Sequence, residues 1–140
     1  MIVFEHLELQ GKKRGSKKER LHHWKAQYVQ SMVEHKAHRL SMRISRVCSW
    51  GTSQLAYDGS GTVERGIKGN YSICKFQNGK IYNCDLSASY NIGARYFVRE
   101  ILKSLPETVR LDTEVKVPGC TKRTTCTLST LISLNAAMAA

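Results

Sequence analysis

Asn83-Cys84-Asp85-Leu86-Ser87-Ala88-Ser89-Tyr90-Asn91-Ile92-Gly93 is the stretch on which the reading of this chain turns. Leu86, Tyr90, Ala94, Phe97, Ile101 and Leu105 recur at helical steps, which predicts a helix from about Leu86 to Lys103 with Asp85 at its N-cap. That helix opens on a carboxylate. Some eighty residues earlier a second carboxylate, Glu5, ends the apolar run Ile2-Val3-Phe4, which reads as a buried strand within residues 1 to 8. Two-metal cleavage of phosphodiesters needs several oxygen ligands converging on ions about 4 Å apart, and strand ends and helix starts hold such ligands rigidly. Taken singly, Asp85 reads as a structural cap and Glu5 as a surface charge.

Between the two acids the pattern is less regular. The segment Gly11 to Arg20 holds six basic residues and one acidic, with Lys12, Lys13, Arg14, Lys17 and Lys18 forming a cationic loop beside the Glu5 strand. From about 19 to 41, Leu21, Trp24, Tyr28 and Met32 mark an amphipathic helix with Trp24 and Tyr28 as core, and residues 42 to 48 alternate like a half-buried strand. Glycines at 51, 59, 61, 66, 69 and 79 then punctuate a region of turns and hairpins, with strands at Tyr71 to Phe76 and Lys80 to Asn83. Pro106 and Pro118 bracket a polar connector without a clear period. Leu128 to Ala140 is an Ala-rich segment that reads as a docking helix or a frayed tail.

The chain has 140 residues, enough for one domain with a core, and 22 Lys and Arg against 11 Asp and Glu give a formal charge of +11. Such a surplus favours a polyanionic partner, nucleic acid before an anionic membrane surface. No window approaches the roughly eighteen apolar residues of a membrane span, and Met1-Ile-Val-Phe-Glu5 lacks the layout of a signal peptide, so a cytoplasmic location is expected. Five cysteines, at 48, 74, 84, 120 and 126, lack framework spacing and fit a reducing compartment.

Phe4-Glu5-His6-Leu7, the basic loop, a helix containing Trp24 and Lys36-Ala37, a strand, Thr52-Ser53-Gln54, and Asp85 with Asn91-Ile92 follow one another in an order that resembles the C-terminal half of the TnpB (OrfB) family. Its members are transposon-encoded, RNA-guided DNA endonucleases related to the type V CRISPR effectors. The resemblance covers residues 1 to about 103. It implies an α/β chain with a partial RNase H-like (RuvC-type) fold over 1–105, a ribbon-like β insertion at about 51–82, and a C-terminal tail at 106–140. By the same resemblance Glu5 and Asp85 match the second and third acidic residues of a Mg²⁺-dependent nuclease site, while the first has no counterpart in this chain. Two of three ligands hold Mg²⁺ weakly, because the ion demands near-octahedral geometry. The chain is therefore expected to act with a further N-terminal part or another chain, on DNA and with a guide RNA.

The family's zinc-ribbon pairs fall here on Ala56 and Gly59, then Cys74 and Gln77. Ala and Gly cannot replace thiolates, so zinc is not expected, and Tyr71, Ile73, Phe76, Ile81 and Tyr82 are expected to pack a zinc-free hairpin instead. Cys84 and Ser87 also stand where the family often has a basic residue and an asparagine. Arg95 and Arg99 face either a nucleic-acid groove or solvent, and His22, His23, His35 and His38 read as surface residues. The alternative to a nuclease portion is a non-catalytic nucleic-acid-binding remnant or regulator. A small ribosomal-type RNA-binding protein accounts for the charge but not for the acidic pair.

Overall fold

A computed structural model describes residues 1–6, 17–67 and 69–139, with the side chains of the first helix described from Lys25 onward. The chain is mixed α/β with small sheets and divides into two units, Met1–Arg46 and Val47–Ala140.

In the first unit, strand β1 (Ile2–His6) is followed by helix α1 (Lys17–Arg39), and the chain then enters strand β2 (Ile44–Cys48), which pairs with β1. Ile2 N donates to Arg43 O at 2.8 Å, and Gln30 Nε2 on α1 donates to the Glu5 carbonyl at 3.4 Å. Arg46 forms an ion pair with Glu34 across strand and helix. The C-terminus of α1 is closed by two bonds, Ser41 N to His38 O at 3.0 Å and Met42 N to Ala37 O at 2.9 Å, with Ser41 in the left-handed region at φ 51°. That is a Schellman motif with Ser where Gly is usual.

Among the described side chains, the apolar residues of α1 do not form a core. Tyr28, Val29 and Met32 are exposed, and Ala37 is the fully buried position among the helix residues whose side chains are described. Length explains this: 23 helical residues extend about 35 Å, whereas a five-residue strand extends about 17 Å and covers half of that. Lys17 and Lys18, expected in the basic loop, open α1 instead, because the helix starts two residues earlier than the apolar period suggests. Lys12, Lys13, Arg14 and Leu7 lie outside the described residues, as do the side chains of His22, His23 and Trp24.

The second unit begins with an antiparallel sheet of β3 (Glu64–Ile67), β4 (Asn70–Lys75) and β5 (Ile81–Asn83), in that order. Arg65 faces Cys74 and Cys74 faces Tyr82, and Gly66 at φ +80° absorbs an irregularity between Arg65 and Ile67. Strand β3 was not visible in the sequence, since Glu-Arg-Gly-Ile does not alternate. Ala56, Cys74, Phe76 and Cys84, at 0 to 1% exposure, form a small core with Tyr57, Val63 and Tyr82 at its edge. Tyr71 and Ile81 do not join that packing as expected. Side chains alternate across a pleated strand, and the register that turns Cys74 and Tyr82 inward turns Tyr71 and Ile81 out.

Helix α2 (Cys84–Ser104) follows directly, then α3 (Glu107–Lys116), a 3₁₀ turn (Pro118–Cys120) and α4 (Leu128–Ala139). A second core of Val98, Val117, Cys120, Cys126 and Leu134 joins these elements. The helix α3 lies where a connector without period was expected. Pro106 presets the backbone at φ −55°, and the i,i+4 pairs Arg110–Glu114 (3.7 Å) and Lys116–Asp112 (2.8 Å) support a helix whose buried residue is polar Thr113. The C-terminal segment is a docking helix, with Leu134 fully buried. Among the described residues, no helix is long and apolar enough to cross a membrane.

Candidate functional site

The mouth of α2 differs from the expectation in one respect that bears on chemistry. Asn83, not Asp85, is the N-cap: its side-chain oxygen accepts from Asp85 N at 3.0 Å and Leu86 N at 2.9 Å. Asp85 sits in the first helical turn and is exposed, where the helix dipole favours a negative charge. Capping is thus done by a neutral amide, and the Asp85 carboxylate does not perform it. On the adjacent strand β3, Arg65 Nε donates to Cys84 Sγ at 3.5 Å. That bond raises the Arg65 guanidinium above its ordinary value against the opposing effect of burial, and the nearby Asp85 charge adds to it. Behind them the Cys74 thiol is pushed up to about 11 by burial and by its hydrogen bond with Cys84, so it remains a thiol at neutral pH.

Beside the mouth lies a cluster that the residue pattern alone did not disclose. The Tyr57 ring stands 5.1 Å from Tyr82, 5.2 Å from Tyr90 and 5.6 Å from Phe76. The Lys80 ammonium lies 4.7 Å from the Tyr57 centroid and 5.0 Å from that of Tyr82, and it donates to the Tyr57 hydroxyl. Hydrogen bonding to Tyr90, with burial and Tyr57 contributing, raises the Tyr82 phenol above its ordinary value. An ammonium and three phenols carry more donors than they consume among themselves, and Lys80 and Tyr90 are exposed, so the patch keeps donors to spare at the surface. Asp58 balances part of the charge. Burial pushes its carboxyl up, but hydrogen bonds from Ser60 and Asn78, together with Lys80, outweigh it and hold the group below the carboxylate norm.

The core behind α2 is polar at its centre. Arg95, 4% exposed, donates to Cys48 O at 2.6 Å, Trp50 O at 2.8 Å, Thr124 O at 2.6 Å and Cys126 O at 3.3 Å. Asn91, fully buried, donates to Thr52 O at 3.0 Å and Leu55 O at 2.8 Å. The expected helical stripe is displaced accordingly: Leu86, Tyr90 and Phe97 are exposed, while Ser87, Asn91, Ala94, Arg95 and Val98 face inward. Arg95 therefore faces neither groove nor solvent.

Glu5 belongs to the first unit and Asp85 to the second, each in the surroundings given above. His35 and His38 are exposed on α1, and among the described residues no group of three or more His, Cys, Asp or Glu stands together as a metal cluster. Of the ribbon positions, Ala56 and Cys74 lie in the small core, while Gly59 and Gln77 are exposed in turns. Packing of Phe76 and Tyr57 against them holds the hairpin to α2. No protein-family model, curated protein or solved structure matches this chain.

Proposed function

We propose that this chain is the nuclease portion of a transposon-encoded, RNA-guided DNA endonuclease of the TnpB kind, with a partial RNase H-like fold and with Glu5 and Asp85 as Mg²⁺ ligands. The observation that carries this reading is the exposed Asp85 carboxylate, presented by a helix whose cap is supplied by Asn83, beside the donor-rich patch of Lys80, Tyr57, Tyr82 and Tyr90. A carboxylate in that position serves a hydrated hard cation, and the patch offers donors to phosphate oxygens. The formal charge of +11 supplies the general attraction to DNA and guide RNA.

Binding without cutting is the second reading, and Arg65 favours it. Its guanidinium feels the Asp85 charge and offers that carboxylate a cation of its own. The two readings separate in a DNA cleavage assay with Mg²⁺, in the presence of RNA, comparing the wild type with Glu5→Gln and Asp85→Asn. Cleavage lost in both variants, with DNA binding kept, supports the nuclease. Wild type and variants behaving alike removes the metal role from both carboxylates and leaves binding.

A further inference from the structure

Away from the α2 mouth, the second half of α2, helix α3 and the turn that follows enclose a cavity of about 200 Å³. Five cationic side chains line it, Arg95, Arg99, Lys103, Arg110 and Arg123, against one lining carboxylate, Glu114. Glu100 touches Arg99 at 2.9 Å and Lys103 at 4.0 Å, so the neighbourhood holds two carboxylates and keeps an excess of three positive charges. Arg95 is committed to the fold by its carbonyl bonds and fixes the wall rather than offering itself to a ligand. Arg123 is exposed and has no carboxylate within ion-pair distance among the described residues.

A second observation points to an anion. Arg110 Nε is buried without a hydrogen-bond acceptor among the described residues, since Glu114 Oε1 at 3.7 Å is beyond hydrogen-bond reach. Buried donors are nearly always satisfied, and an oxyanion seated in the cavity satisfies this one. Val98 and Leu102 supply an apolar floor. A cavity of about 200 Å³ is smaller than the ~300–1,000 Å³ of typical small-molecule sites, so it fits a phosphate and its attached sugar rather than a dinucleotide.

We propose that this cavity binds the terminal phosphate monoester of a nucleotide, either free or at the end of a nucleic-acid strand. Arginine forks match phosphate oxygens bidentately. A monoester carries about −1.5 to −2 charges near neutral pH, closer to the local surplus than the single charge of an internal phosphodiester. Residues 106–139 then have a role beyond packing: with α2 they build the site. The inference does not depend on Glu5 or Asp85.

The test is equilibrium binding in EDTA, which keeps it separate from metal-dependent cleavage. Short single-stranded DNA with a phosphate or a hydroxyl at either end, labelled at the opposite end, is followed by fluorescence anisotropy with 5′-AMP as competitor. One phosphorylated end is expected to bind roughly tenfold tighter than its hydroxyl counterpart, the worth of a charge-assisted contact. Arg110→Gln and Arg123→Gln are expected to erase that difference, while Arg43→Gln, in the first unit, lowers binding of both ends alike. Arg123 is exposed, so its variant keeps the fold even where Arg110→Gln loosens α3. Competition by 5′-AMP identifies the free nucleotide as sufficient; discrimination by strand ends without such competition assigns the site to strand termini. No preference for phosphate in either form, or a preference unchanged in Arg123→Gln, overturns the proposal.

Discussion

Replacing Arg95 by Met keeps the apolar stem and removes all five guanidinium N–H groups from the interior. Four carbonyl oxygens then lose their donor: Cys48 and Trp50 on one segment, Thr124 and Cys126 on another, now bonded at 2.6 to 3.3 Å. At about 1 kcal/mol for each, below the ~1.5–3 kcal/mol of hydrogen bonds to charged groups because both segments can relax, the loss is about 4 kcal/mol. Set against about 5–15 kcal/mol for a whole domain, that removes much of the stability of the second unit. Urea unfolding followed by far-UV circular dichroism reads the change directly. With a slope of ~2 kcal/mol per M, the midpoint should fall by about 2 M. Arg95→Lys should recover little of this, since one compact ammonium cannot span four carbonyls on two segments. A midpoint within about 0.5 M of the wild type for Arg95→Met would show that the guanidinium bonds are not what joins those segments, and the account of this core would fail.

Asn91→Leu should destabilise by about 1–2 kcal/mol in the same assay, less than two bonds suggest, because it also removes a buried Oδ1 that has no donor in its surroundings. Ser41→Gly should stabilise the first unit by about 1 kcal/mol, visible as a raised melting temperature, because it relieves a left-handed residue at φ 51° while keeping both capping bonds. Stability should also fall in alkali. Cys74 titrates at about 11 when folded against an ordinary 9.0, so the unfolded chain releases this proton first. The contribution is complete below pH 9 and is lost as pH rises through 11; Cys74→Ala should flatten that part of the urea-midpoint profile, and an unchanged slope would discount the thiol.

The elements that announce themselves through apolar period or turn residues were legible: α1, the β4 and β5 hairpin and α2, whereas the apolar C-terminal segment read equally as a docking helix or a frayed tail. What escaped was governed by polar atoms. In α3 the buried position is the polar Thr113, while Val109, Leu111 and Val115 are exposed, so no apolar stripe marks it. In α2 the apolar stripe is only partly buried: Ala94 and Ile101 pack inward while Leu86, Tyr90 and Phe97 are exposed, because Asn91 and Arg95 take inward positions and find carbonyls that no side-chain pattern advertises. Backbone acceptors are invisible to a reading of side chains. The two acids of the proposed site are named by the sequence alone, whereas the Asn83 cap and the Lys80 and tyrosine patch depend on register: Tyr82 meets Tyr57 and Tyr90 only because Cys74 pairs with it across the sheet.

Helix α2 connects these features mechanically. Its 21 residues form a rod about 32 Å long, with Asp85 in the first turn, the Asn91 and Arg95 bonds in the middle, and Arg99 and Lys103 in the last turns, at the cationic cavity. Apolar packing tolerates small rotations, since dispersion has little direction, but six hydrogen bonds to carbonyls on three segments do not. A shift of one residue would orphan all of them. The polar centre therefore fixes the azimuth of the helix, and with it which side chains reach the mouth and which reach the cavity. Arg95 consequently positions both ends and cannot separate their roles; Asp85 and Arg123, one at each end and both exposed, are the residues whose substitution reports on one site without moving the other.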